Sequence, residues 1–240
     1  MFHPKGPSFM ELMQQGLSSM ERGYDLLAPK FDYTPFRTPD DVLKASVELA
    51  GPAASVESAL DVCCGTGAAM RHLRPLCHKR VVGVDLSQGM LDEARRRLTD
   101  APGTAALEWV RGDALELPWR EEFELVTSFG AFGHIPEEDE PRLVEAVHRV
   151  LKPGGRFLFV TGEEPSRLRP GYWLARAFNT AMRVRNAVWK PPFVMYYLTF
   201  LLPRARALLE AQGFQVDVHA DALPEPYGRH GLCVVIATRR

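Results

Sequence analysis

The chain has 240 residues, 46% of them hydrophobic and 25% charged, with a formal net charge of −1 and a sequence pI of about 6.7. Length and composition fit one α/β domain with a substantial core, and the balanced charge argues against nucleic acid as a partner. Cys63, Cys64, Cys77 and Cys233 show no CxxC spacing, and the N-terminus has no basic region followed by a long apolar core. Neither a metal site nor a disulfide framework nor a secretory signal is expected, which suggests reduced thiols in a cytoplasmic protein. The longest apolar stretch, residues 193–202, is half the roughly 20 residues that a membrane-spanning helix needs.

In chain order, residues 8–28 and 39–50 carry helical spacing, with Thr38 or Asp40 as the candidate cap of the second and Pro39 in its first turn. From residue 59 a regular alternation begins. Residues 59–64 form an apolar strand that runs into Gly65-Thr66-Gly67, and residues 80–85 form a second strand closed by Asp85. Ser87 caps a helix that runs to Leu98. Residues 107–111 are a third strand, followed by Gly112-Asp113, and residues 123–129 a fourth. Residues 141–151 are helical, with Pro153-Gly154-Gly155 as the stop, and residues 156–161 are a fifth strand. Alternating strands and helices imply a parallel, doubly wound α/β sheet covered on both faces. The tail reads as a helix over 204–212 and strands over 213–219 and 232–238. No helix separates those two strands, so they are expected to pair antiparallel.

In such a sheet, ligands bind at the carboxyl ends of the strands, near the point where strand order reverses. The run Asp61-Val62-Cys63-Cys64-Gly65-Thr66-Gly67 provides a glycine turn that lets backbone approach a ligand, and a helix N-terminus that favours a negative group. Asp85, 18 residues after Gly67, is placed either to accept the two ribose hydroxyls of an adenine nucleoside or to cap the next helix. Asp113, in Gly112-Asp113-Ala114, can accept the adenine amino group, or is an ordinary turn aspartate.

Together these residues resemble the class I methyltransferases that use S-adenosylmethionine, over roughly residues 55–162. The resemblance implies a Rossmann-like sheet, mostly parallel with an antiparallel C-terminal strand. It implies that Gly65 and Gly67 line the methionine end and that Asp61 holds the ammonium group, directly or through water. Asp85 matches the ribose-binding acid, Leu86 the apolar residue beside adenine, and Asp113 and Ala114 the adenine contacts. The segment 150–155 matches a structural turn before the fifth strand. Cys63 departs from the family pattern, since it stands where the first glycine of acid-x-Gly-x-Gly-x-Gly is usual. The Asn-Pro-Pro-Tyr type of motif is absent after the fourth strand, which argues against a DNA amino-methyltransferase.

Direct displacement at a sulfonium methyl mainly needs a nucleophile held in line and water excluded. Where the acceptor is a hydroxyl, phenol or activated carbon, a base removes its proton, and His134, just after the fourth strand, is the candidate base. Tyr24 and Tyr33 are candidates for an N-terminal lid, with Tyr24-Asp25 resembling a family motif; Phe129 and Phe132 are either acceptor-pocket walls or core.

Residues 165–206 carry seven Arg and one Lys and no acid, leaving a net −9 on the rest of the chain. Interleaved Trp and Tyr make this segment the candidate for acceptor selectivity toward an anionic or lipid-like small molecule, or for peripheral membrane contact. The expected organisation is therefore an N-terminal helical lid (1–54), a cofactor-binding core (55–162), a basic aromatic insertion (163–206) and a C-terminal helix with antiparallel strands (207–240). Two other readings stay open. One is a protein that binds S-adenosylmethionine or its demethylated product without catalysis. The other is a nicotinamide-dependent oxidoreductase, whose Gly-x-Gly-x-x-Gly loop would need glycine where Met70 stands.

Overall fold

The computed structural model describes residues 3–190 and 193–240, so Pro191 and Pro192 of the basic segment and the first two residues of the N-terminal segment lie outside it. Strands β1 (Val56–Val62), β2 (Cys77–Asp85), β3 (Ala106–Arg111), β4 (Phe123–Ser128) and β5 (Leu151–Gly162) run parallel. β6 (Phe214–His219) and β7 (Leu232–Arg239) complete a seven-stranded sheet of order β3-β2-β1-β4-β5-β7-β6, with β7 antiparallel to both neighbours. The antiparallel pair arises because the link between β6 and β7 has no crossover helix, which a parallel connection requires.

Successive residues of each central strand are buried on opposite faces, as expected when helices cover both sides. On one face Ala59, Val81, Leu125 and Leu158 pack with α3 (Asp40–Glu48), α4 (Ala68–Leu76) and α5 (Gln88–Arg97), through Val47, Met70, Leu73 and Leu91. On the other, Leu60, Val82, Val126 and Phe157 pack with α6 (Glu140–Val150) and α8 (Leu202–Ala211), through Leu143, Val147 and Leu209.

The structure corrects the expected elements at three places. The helical stretch 8–28 is two helices, α1 (Phe9–Leu17) and α2 (Met20–Leu27). Ser18 is extended, and Ser19 starts a new helix by accepting from the Arg22 N–H. Neither Thr38 nor Asp40 caps α3; Pro39 holds that position without a side-chain bond, while Asp40 accepts from Arg37 and pairs with His72. Pro153-Gly154-Gly155 does not stop α6. The helix ends at Val150, Leu151 already pairs with Phe123, and the proline and glycines form an irregularity inside β5 before Arg156 pairs with Leu125. α7 (Pro170–Val188), unassigned from sequence, occupies most of the basic segment.

Strand order reverses between β1 and β4, and the turn after β1 is built for that place. Cys63, Gly65 and Gly67 all have positive φ (57°, 52° and 80°), so Cys63 takes up the left-handed backbone its glycine counterpart would adopt. Gly67 then opens α4 beside α5, so close that a Cβ there would lie 2.7 Å from Leu98 Cδ1 and 3.2 Å from Ala94 Cβ. In a nicotinamide-type loop a third glycine gives close helix–strand approach. Here Met70 fills that position, and Gly83 of β2 provides the space, since a Cβ at Gly83 would sit 2.5 Å from Met70 Sδ. Gly67→Ala combines a left-handed backbone with overpacking and is expected to lower stability by about 2–4 kcal/mol, measured by urea unfolding without ligand.

Candidate active site

The carboxyl ends of β1, β2 and β4 open into a cavity of about 250 Å³ whose walls include Asp61, Gly65, Asp85, Leu86, Asp113, Ala114 and His134. Of the residues expected to bind the cofactor or act as the base, Gly67 alone is not in that wall; it acts one step back, in the α4–α5 packing.

Asp61 is buried on β1 directly opposite Thr127 of β4, and the Thr127 hydroxyl donates to its Oδ1 at 2.7 Å. That is the carboxylate's single hydrogen bond among the described residues. Loss of water pushes its pKa from 3.8 up to about 7, against the Thr127 bond, with Asp85 adding repulsion. A carboxylate in this state is suited to a cationic ligand group.

Asp85, at the end of β2, accepts from the Gly65 N–H through Oδ2 and from the Ser87 N–H through Oδ1, both at 2.9 Å. It therefore clasps the glycine turn and the start of α5 while each oxygen keeps a lone pair. Burial raises its pKa, offset by those backbone bonds. The Gly112 N–H donates to the Asp85 carbonyl, tying β3's exit to β2's, and Asp113 Oδ1 accepts from the Leu115 N–H at 2.9 Å. Asp113 and Leu86 are exposed and Ala114 is buried, so this end of the cavity is open to solvent.

The N-terminal segment closes over the site through polar latches. Asp25 Oδ1 accepts from Ser87 Oγ at 2.6 Å and from the Gly89 N–H at 2.8 Å, at the N-terminus of α5 where a negative group is favoured. Asp32 accepts from Thr66 Oγ1 at 2.6 Å and from Arg97 at 2.7 Å, and Glu21 pairs with Arg111. Tyr24, Phe31, Phe36 and Arg37 contribute to the cavity wall. Arg37 Nε is buried with no hydrogen-bond partner among the described residues. Asp25, Asp32 and Arg37 were not found by sequence reasoning. Only the Tyr24-Asp25 pair carries a sequence signal; Asp32 acts through Thr66 and Arg97, 34 and 65 residues away, and Arg37 pairs with Asp32 and Asp40 in a connecting segment that carries no motif. Tyr33, the other lid tyrosine, stacks on His3 instead.

His134 Nδ1 lies 2.7 Å from the Val194 carbonyl and Nε2 lies 2.6 Å from the Tyr24 hydroxyl. A carbonyl only accepts, so Nδ1 carries the proton and Nε2 accepts from Tyr24. Burial holds the imidazole pKa below its ordinary 6.5, against the Val194 bond, and burial likewise raises the Tyr24 pKa. Phe129 faces the cavity, whereas Phe132 is core, stacked on Phe200 at 4.6 Å.

Residues 59–155 match the family described as "Methyltransferase domain". The chain is 36% identical over 109 residues to a demethylmenaquinone methyltransferase of Symbiobacterium thermophilum, covering 44% of this chain and 43% of that protein. It is 36% identical over 117 residues to a 2-phytyl-1,4-naphtoquinone methyltransferase of Nostoc punctiforme, covering 48% and 50%. The chain thus spans about half the length of the curated relatives it matches. Among solved structures, the DhpI–SAH complex superposes with a TM-score of 0.64 over 96% of this chain and 98% of that one; at 20% identity this likeness establishes the fold.

Because the folded Asp61 carboxyl keeps its proton to about pH 7 and the unfolded one only to about 3.8, its contribution to stability is full below the lower value and lost as pH rises through the higher. Asp61→Asn is therefore expected to gain roughly 1–3 kcal/mol on the wild type between about pH 4 and pH 8 in ligand-free urea unfolding. A pH-independent difference would contradict the burial argument.

Proposed function

We propose that the chain is a class I S-adenosylmethionine-dependent methyltransferase and that it methylates a small, apolar, quinol-like acceptor carrying an ionisable hydroxyl. The observation that carries the reading is the meeting of Asp61, Asp85 and Asp113 with the His134–Tyr24 pair around one cavity at the point where strand order reverses.

The residues present fit the cofactor's parts. Among the described residues Asp61 has no cationic partner, and it suits the ammonium group. Arg37, whose Nε makes no hydrogen bond among the described residues and faces Asp32 at 3.7 Å, is the cation in the wall that suits the carboxylate beside the start of α4. Asp85 keeps acceptor capacity for the ribose hydroxyls; Leu86, Asp113 and Ala114 frame the adenine; Gly65 allows close approach, and Gly67 sets the helix that follows. When bound, S-adenosylmethionine supplies a methyl made electrophilic by its sulfonium.

The chain's own part is to hold the acceptor in line, exclude water and take a proton. His134 is the base. Its Nε2 receives the acceptor's hydroxyl proton, directly or by way of the Tyr24 hydroxyl, and the Val194 carbonyl keeps Nδ1–H in place. The deprotonated acceptor is then the nucleophile for in-line displacement. The names of the two relatives support a naphthoquinone-type acceptor, as do the Phe31, Phe36 and Phe129 walls. In this reading residues 1–54 are a lid, 55–162 the cofactor core and 207–240 its completion. Residues 163–206 give acceptor selectivity and the peripheral membrane contact. Four free thiols support a reducing, cytoplasmic setting, and no helix among the described residues is long and apolar enough to cross a membrane.

Asp85→Ala should weaken S-adenosylhomocysteine binding at least about ten-fold by calorimetry, equivalent to about 1.4 kcal/mol; an unchanged constant would remove this cavity from cofactor binding. With a labelled methyl donor and a reduced naphthoquinone acceptor, His134→Ala should cut turnover about a hundred-fold while leaving that binding constant within about two-fold, and Tyr24→Phe should lie between. Turnover should persist below pH 6.5, because the base form of His134 does; equal turnover in His134→Ala would eliminate it as the base.

A further inference from the structure

We infer that the outward face of α7 is an interfacial docking surface for an anionic lipid bilayer. This deepens the peripheral-contact reading of residues 163–206, and its direct test does not involve methyl transfer.

α7 runs 19 residues, about 28 Å at 1.5 Å per residue. At about 100° per residue its side chains divide into three sectors. Tyr172, Phe178, Asn179, Met182 and Asn186 face inward. Asn179 exchanges two hydrogen bonds with the Tyr197 backbone, Phe178 packs on the Tyr197 ring at 5.0 Å, and Asn186 bonds both the N–H and the carbonyl of Phe193. The opposite side is a continuous apolar stripe of Trp173, Leu174, Ala177, Ala181, Val184 and Val188, all exposed. Leu174 and Val188 are 73% and 80% exposed, which is costly for a helix whose outer side is meant for water. Exposed Arg169, Arg176 and Arg183 lie along one edge of the stripe and exposed Arg167 toward the other, while Arg185 turns its guanidinium into the protein beside Asn186. No acid occurs from residue 165 to 206.

An outer apolar face edged by exposed arginines matches the requirements of a helix lying in a bilayer interface. The apolar residues enter the acyl boundary, and the guanidinium groups reach up to anionic headgroups. The charge pattern selects this occupant over a second copy of the chain. A symmetric dimer through this face would set the exposed arginines of one copy against those of the other with no acid in the segment to offset them. α1 adds a second unpartnered stripe of Phe9, Met10, Met13 and Leu17. The two helices are linked through Phe193, which is held by Asn186 of α7 and lies against Gly23 of α2, with Gln15 of α1 on the same glycine. The next residue, Val194, holds His134. Docking through α7 would therefore bring the segment bordering the cavity to the surface where an apolar acceptor resides.

The test is sedimentation of the full chain with phosphatidylcholine vesicles, with and without about a third phosphatidylglycerol, at low and high salt. Binding is expected only to the anionic vesicles and should fall at high salt. The double variant Leu174→Glu, Val184→Glu, on exposed positions, should lose at least about ten-fold in vesicle affinity while circular dichroism and S-adenosylhomocysteine affinity stay as in the wild type. No binding to anionic vesicles, or binding that the double variant retains, would overturn the inference. So would a wild-type dimer in sedimentation velocity that the same substitutions dissociate, or salt-sensitive retention of single-stranded oligonucleotide instead of vesicles. S-adenosylhomocysteine binding intact with vesicle binding absent would sink the docking surface alone; the reverse would sink the methyl-transfer site alone.

Discussion

Asp61 and Thr127 meet across the boundary between β1 and β4, where the sheet's strands change the direction in which they are laid down. One hydroxyl is a poor substitute for water around a carboxylate, and the acid is held near neutral pKa as a result. The fold cannot relieve this strain locally. β1 and β4 are packed on both faces by helices, and the carboxylate opens only toward the cavity. The native state therefore carries an electrostatic cost at Asp61 above the pH at which that carboxyl ionises.

The rest of the site is arranged around this point by backbone hydrogen bonds more than by side-chain packing. Asp85 joins the glycine turn to α5, and Asp25 joins the lid to the same helix start two residues further on. α5 is thus a common anchor for both the cavity floor and its cover, and the N-terminal segment is latched by Asp25, Asp32 and Glu21 rather than by a large apolar interface. Polar latches of this kind can open without unfolding the sheet. The same N-terminal segment delivers the Tyr24 hydroxyl to His134 Nε2, so its seating on the sheet and the formation of that pair go together.

The sheet was legible because its strands are continuous apolar runs that end in glycine or an acid, and burial on both faces leaves little else for such runs to do. The strand-end positions of Asp61, Asp85 and Asp113 followed from that, since a strand's end is a local property. Errors came where two local signals compete. Ser18-Ser19 reads as tolerable helix but provides an extended residue and a new cap. Pro153-Gly154-Gly155 reads as a helix stop but lies within a strand that had already begun at Leu151. The break between elements was decided by pairing with Phe123, a partner 28 residues away.

The amino-acid sequence by itself determined the alternating architecture, the antiparallel tail, the glycine turn and the acids at the strand ends, because each depends on periodicity or on residues adjacent in the chain. It also determined the concentration of arginine without acid in one segment. Only the tertiary structure decided that Asp61 is dry, that Gly67 serves helix packing, that His134 is bonded by Tyr24 on one side and Val194 on the other, and that the arginines of α7 border an outward apolar stripe. Desolvation and three-body hydrogen bonding depend on which distant segments exclude water from a group, and that is settled when the chain closes on itself.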